Sequence, residues 1–170
     1  MIRLFLFVFT LSVSAAALAE WVGAKAPAFA LPDQTGKVRT LDEFRGRWLV
    51  LYFYPRDATP GCTQEAQQFR DRYAEFRRQG ITVLGVSLDS VESHKRFAEA
   101  QKLPFSLLSD SGRDLSTRLD VLAGFGLANF TRRETFLIDP DGVIVTRYRE
   151  VDTLRHAEQV LADVASLKKR

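Results

Sequence analysis

The chain has 170 residues, 46% hydrophobic and 26% charged, with 24 basic and 21 acidic side chains and a formal net charge of +3. That length suits one domain whose core holds without disulfides or metal, and the composition argues against disorder. The near balance of charge, with no basic stripe interleaved with aromatics, argues against nucleic acid as a partner.

The first nineteen residues, ahead of Glu20, run from a basic start at Arg3 through an apolar stretch to Ala17-Leu18-Ala19. This is the pattern of a secretory signal, cleaved before Glu20. The apolar stretch from Leu4 to Ala19 is shorter than the roughly 20 residues that span a bilayer, so cleavage is preferred to a retained anchor. No cysteine follows the cleavage site, which excludes a lipoprotein. The expected organisation is a signal over 1–19 and one exported domain over 20–170. It would be periplasmic or secreted, with no stable membrane insertion after cleavage.

The stretch 26–44 reads as two short extended pieces around a turn at residues 34–37, where Gly36 supplies the backbone angle a tight turn needs. The segment "RWLVLYFY", 47–54, is apolar without alternation, the signature of a strand buried on both faces. Ala66, Phe69, Tyr73 and Phe76 then recur at helical spacing, predicting one helix that ends near Gly80. A strand over 81–88 and a helix over 90–102, with Ser90 as cap and Pro104 beyond its end, come next. A short strand and a short helix over 114–119 follow, and 119–131 is expected to be a loop. The segment 134–150 is a hairpin around Asp139-Pro140-Asp141-Gly142, and a last helix covers about 153–166. Strands alternating with helices imply an α/β fold with a mainly parallel core and antiparallel additions from the hairpin.

Cys62 is the only cysteine, so the chain cannot close a disulfide on itself. An odd thiol in an exported chain points to intermolecular pairing or to a free reactive sulfur. Thr59 can cap the following helix, and Pro60 fits its first turn. Gly61 removes bulk beside the sulfur, and Cys62 falls where free N–H groups and the helix dipole favour an anion. Ionisation alone is a limited gain. A thiol of pKa near 8.5 is already about 3% ionised at pH 7, so full ionisation gives roughly 30-fold, about 2 kcal/mol. A fast thiol enzyme therefore needs donors for charge that develops in the transition state. Thr59 is one local donor. A cation must come from elsewhere, and alternation ahead of Thr135 and Leu137 favours Arg133 over Arg132 without deciding what that face meets, with Arg56 a further candidate.

These residues resemble the peroxiredoxins, and within them the bacterioferritin-comigratory, or Q-type, subfamily. Pro55, Thr59 and Cys62 match the Pro-x-x-x-Thr-x-x-Cys motif, and Arg133, Thr135, Phe136, Leu137, Ile138 and Asp139 match the family's Arg-x-Thr-Phe-Leu-Ile-Asp strand. The resemblance spans about Val22 to Leu167. It implies a thioredoxin-like fold, a mixed central sheet flanked by helices with an N-terminal β-hairpin extension, and reduction of hydroperoxides without a cofactor or metal. It further implies that the Cys62 thiolate attacks the peroxide, that Thr59 orients it, that Pro55 shields the sulfenate and that Arg133 holds the thiolate. Glu65 would buttress the arginine as an accessory. Where many relatives carry a second, resolving cysteine, this chain has Gln67. The resemblance thus implies a one-cysteine peroxidase regenerated by an external thiol, from a thioredoxin-like protein or a small molecule, working as a monomer or weak homodimer.

Two rival functions remain at this point: a thiol–disulfide exchange protein, disfavoured by the lack of Cys-x-x-Cys, and a non-enzymatic redox sensor or binder. His94 and His156 each stand alone on amphipathic helices and are expected at the surface, without metal. The arginines at 70, 72, 77 and 78 are expected on the wet face of their helix.

Overall fold

The computed structural model describes residues 21–125 and 128–169, so the segment read as a secretory signal lies outside the described residues. The chain opens with an antiparallel hairpin, β1 (Ala30–Pro32) and β2 (Val38–Thr40), turning at Gly36 with φ +84°. This is the expected N-terminal extension. A single 3-10 turn over Leu41–Phe44 leads into β3 (Trp48–Phe53).

Then come α1 (Pro60–Asp71), α2 (Tyr73–Arg78), β4 (Ile81–Ser87), α3 (Val91–Gln101), β5 (Ser106–Ser109) and α4 (Asp114–Arg118). The chain closes with β6 (Leu122–Phe125), β7 (Ala128–Thr131), β8 (Glu134–Ile138), β9 (Ile144–Tyr148) and α5 (His156–Leu167). The central sheet has the order β5-β4-β3-β8-β9, with β3, β4 and β5 parallel and β8 and β9 added antiparallel. This is the parallel core with antiparallel additions that the element order predicts, and the mixed, thioredoxin-like sheet that the resemblance implies.

The non-alternating run of β3 is explained by what covers it. Val50, Tyr52 and Tyr54 face a layer made by Phe69, Phe76, Phe97 and the apolar stripe of α5. Leu49, Leu51 and Phe53 face the opposite layer, built on Phe29, Phe44, Leu115 and Val121. Both layers hold the strand by apolar burial, at about 1.5–3 kcal/mol for each large side chain. Gly85 on β4 lies opposite Tyr52, and a Cβ there would come within 2.8 Å of the Tyr52 ring and 2.7 Å of Leu107. The missing side chain lets the Tyr52 ring lie across β4.

Several sequence expectations are corrected here. The single helix to Gly80 is two helices, because the chain kinks at Arg72 with φ −102° and ψ 7°. The loop expected over 119–131 contains the β6–β7 hairpin, whose alternation is masked by glycine and alanine. Of the arginines assigned to the wet face, Arg70 and Arg72 are half-buried. Arg70 donates to the Gln101 carbonyl at 2.9 Å and Arg72 to Gln68 at 2.8 Å. His94 and His156 are both fully buried rather than at the surface. Each continues the apolar stripe of its helix: His94 with Phe97 and Ala98, His156 with Ala157 and Val160. Burial is possible because both rings find polar partners inside.

Candidate active site

The loop between β3 and α1 carries the Cys62 constellation. It is anchored from below by a buried network in which Asp57 takes hydrogen bonds from the Tyr54 hydroxyl at 2.8 Å and the Ser93 hydroxyl at 2.8 Å. His94 Nδ1 lies 2.9 Å from the same carboxylate, and its Nε2 lies 3.2 Å from the Leu108 carbonyl. Burial works against charge on Asp57, but the bonds from His94, Tyr54 and Ser93 outweigh it and hold the carboxyl below its ordinary range. From the other side the Thr131 hydroxyl donates to the Tyr54 carbonyl at 2.6 Å, joining the end of β7 to the start of the loop.

Cys62 is the third residue of α1 and is 2% exposed. Thr59 occupies the N-cap position, but its hydroxyl does not cap the helix. It donates instead to the Arg56 carbonyl at 3.1 Å. With its proton committed there, the oxygen is left to accept a hydrogen bond from a molecule entering the site. Pro55 is half-buried at the head of the same loop.

Arg133 is the cation that meets the sulfur. It precedes β8, and its Nη2 donates to Cys62 Sγ at 3.2 Å. Its Nη1 is hydrogen-bonded and ion-paired to Glu65 Oε2, one turn along α1 from the cysteine. A Cβ at Gly61 would sit 3.4 Å from Arg133 Nη2, an ordinary van der Waals contact, so Gly61 borders the guanidinium rather than the sulfur without being required for its approach. Arg132 turns away and pairs with Glu134 at 3.0 Å and Asp120 at 3.5 Å. Arg56 is exposed.

The charges in this cluster are coupled. Burial opposes charge on Arg133, but Glu65 and Cys62 outweigh it and hold its pKa above the ordinary arginine value. Burial pushes Glu65 up to about 7, against the opposite pull of Arg133. Its second oxygen, Oε1, is buried with no hydrogen-bond partner among the described residues, which is consistent with that rise.

Tyr52 and His156 complete the floor, and neither was singled out from sequence as part of the site. Tyr52 stacks on Phe69 at 4.8 Å, and its hydroxyl is raised well above its ordinary pKa by burial and then by Glu65. His156 Nε2 is 2.8 Å from the Thr135 hydroxyl, and Thr135 is the register partner of Tyr52 on β8. Burial, reinforced by the charge of Arg133, lowers His156 to about 4, so the ring is neutral at pH 7.

The site thus brings together a sulfur at a helix start, a permanent guanidinium on that sulfur, and a hydroxyl with a free acceptor face. Among the described residues no group of three acidic, histidine or cysteine side chains is placed to hold a metal. Such an arrangement suits a thiolate that attacks a small polarised molecule.

The AhpC/TSA family model matches residues 22–147. A chloroplastic peroxiredoxin Q from Sedum lineare is 42% identical, over 86% of this chain and 78% of its own length. A protein described as a putative peroxiredoxin bcp from Coxiella burnetii is also 42% identical, over 82% and 95%. Among solved structures, peroxidoxin BcpB from Mycobacterium tuberculosis superposes with a TM-score of 0.81 at 34% identity, over 86% of this chain and 97% of that one. The bacterioferritin comigratory protein of Xanthomonas campestris superposes with a TM-score of 0.77 at 38% identity, over 82% and 91%. The chain belongs to the AhpC/TSA family, and within it is a peroxiredoxin of the Q-type, bacterioferritin-comigratory group that carries a single cysteine.

Proposed function

We propose that this peroxidase reduces hydrogen peroxide and organic hydroperoxides through a sulfenic acid on Cys62, which an external thiol then removes. The observation that carries the reading is the Arg133 Nη2 contact with Cys62 Sγ at 3.2 Å. A guanidinium there holds the thiolate and faces the charge that builds as the O–O bond breaks. The thiolate attacks the distal peroxide oxygen and the O–O bond breaks, leaving Cys62 as a sulfenic acid and releasing water or alcohol once the departing oxygen gains a proton. Thr59 accepts the hydrogen bond of the peroxide O–H, Pro55 shields the sulfenate, and Glu65 fixes Arg133 from behind.

Organic hydroperoxides are included because the Xanthomonas campestris relative is described by its alkyl peroxide reduction activity. The test is turnover with peroxide and a thiol. Cys62→Ser should abolish it. Arg133→Ala should keep the thiol but slow its oxidation on the order of 10²- to 10³-fold. Full activity in Arg133→Ala would contradict the assignment of the cation.

We infer further that residues 1–19 direct export and are removed before Glu20, leaving a monomer or weak homodimer. The sequence pattern Ala17-Leu18-Ala19 supports the export and the cleavage. N-terminal sequencing of the protein from the cell envelope checks it: a mature chain starting at Glu20 is expected, and an intact Met1 on the envelope protein would contradict it.

A further inference from the structure

The end of the sheet far from Cys62 holds a second cavity. β5 begins opposite Leu84, so β4 runs past it over Ile81 to Val83. The gap beside those residues has a volume of about 500 Å³ and is closed by α2, by the turn into β5 and by the chain ahead of β3. Arg47 stands in its wall just before β3, and the other end of β3 leads into the cysteine loop. The 6 residues of that strand set the two regions roughly 20 Å apart. None of Pro55, Thr59, Cys62 and Arg133 lines this cavity.

One side of the wall is cationic. Arg39, Arg47 and Arg77 line it, and among the described residues no carboxylate does. Arg39 is already committed: it bonds to Glu43 at 3.0 Å and to the Ser106 hydroxyl at 3.2 Å, and lies 3.5 Å from Asp33. Its charge is taken up by those two carboxylates behind the wall. Arg47 and Arg77 are exposed, and among the described residues neither guanidinium has an ion-pair or hydrogen-bond partner. The end of α2 beside them offers no free carbonyl in compensation. The Arg77 carbonyl accepts from the Gly80 amide at 3.0 Å, and the Gln79 carbonyl accepts from Lys168. Two positive charges are left facing the cavity. The opposite side is apolar, formed by Tyr73 and Leu103, which are half-buried and pack by one face on the core. Tyr73 lies against Phe105 at 5.9 Å between ring centroids, and its hydroxyl has no partner among the described residues.

We propose that this cavity binds a phosphomonoester with an apolar body, the phosphate held by Arg47 and Arg77 and the body lying against Tyr73 and Leu103. A phosphomonoester carries nearly two negative charges at pH 7, which match the two free guanidinium groups. Its three oxygens accept from planar arginine forks and from the Tyr73 hydroxyl. A carboxylate would match only one of the two cations. The volume falls in the range of small-molecule sites, and the pairing of an apolar wall with a few convergent polar groups is how such sites fix orientation. The site stands whether or not Cys62 reduces peroxide.

The experiment titrates phenyl phosphate, benzoate and inorganic phosphate into the purified chain by calorimetry, at low and matched ionic strength. Phenyl phosphate should bind about tenfold more tightly than benzoate, which lacks the second charge, and than inorganic phosphate, which lacks the ring. The Arg47→Gln/Arg77→Gln double variant should weaken phenyl phosphate by about tenfold or more. Its Cys62 should react with peroxide at the parent rate, which shows that the variant is folded. Vesicles of phosphatidylcholine with and without phosphatidic acid then identify the source. Sedimentation with the acidic vesicles that is lost in the double variant assigns the phosphate to a lipid headgroup, and no sedimentation assigns it to a soluble ester. No binding of phenyl phosphate at millimolar concentration, benzoate binding equally well, or an affinity unchanged in the double variant would overturn the proposal.

Discussion

Thr59 shows how one hydrogen bond decides between two roles for a residue. A hydroxyl that capped α1 would link activity to stability, since losing a cap costs about 1 kcal/mol. Here the hydroxyl instead bonds to the Arg56 carbonyl and leaves the helix N–H groups alone. Thr59→Val should therefore slow Cys62 oxidation on the order of 100-fold while shifting unfolding by no more than about 0.5 kcal/mol. Thr59→Ser should restore the rate. Stopped-flow oxidation and urea melts on the same three proteins check this, and a parallel loss of stability would show the hydroxyl to be structural. The chain pattern named Thr59, Cys62, Glu65 and Arg133, because motif and alternation are properties of a single strand or turn. It did not name Tyr52 or His156, whose place under the site depends on how β3, β8 and α5 stack.

Gly85 is the position where β4 yields to its neighbour. A methyl group there meets the Tyr52 ring and Leu107 on a strand paired on both sides, where the backbone has little freedom to shift. Gly85→Ala should cost about 1–3 kcal/mol, read as a lower urea midpoint at unchanged slope. The loop anchor is equally exacting. Asp57→Ala would strip His94 and the Tyr54 hydroxyl of their buried partner and should cost about 3 kcal/mol. A melt within 1 kcal/mol of the parent would show that the network holds nothing. Legibility at this scale followed the strength of the periodic signal. The buried run of β3 and the Asp139–Gly142 hairpin were plain. The β6–β7 hairpin was not, since Ala123, Gly124 and Ala128 give little contrast between its faces. The two histidines were misplaced because a polar ring on an apolar stripe was read by its polarity, whereas its spacing with Phe97 or Val160 was the better guide.

For the molecule as a whole, two buried groups make pH dependence a sensitive reading of the core. Glu65 is raised from 4.5 to about 7, so the folded state holds its proton longer. Its contribution to stability is full below 4.5 and is lost as pH rises to 7. His156 is lowered from 6.5 to about 4, so its contribution is full above 6.5 and is lost as pH falls to 4. Each amounts to about 3 kcal/mol, with opposite sign, so the parent protein should be nearly flat between 4.5 and 6.5. Glu65→Gln should then lose stability as pH falls across that window, and His156→Gln should lose it as pH rises. Chemical melts at stepped pH check both slopes, and slopes of the same sign would contradict the burial of one of the pair.

Peroxidase chemistry here would turn on one sulfur held by one guanidinium in a site that has no second cysteine. Reductant-free protein mixed with one equivalent of hydroperoxide tests this most directly, with the rate followed by stopped flow and the product by intact mass. Oxidation should be far faster than that of free cysteine, with a single added oxygen on Cys62, stoichiometric capture by a sulfenic-acid trap, and a loss of that speed in Arg133→Ala. Oxidation no faster than free cysteine, or equal speed without Arg133, would contradict it.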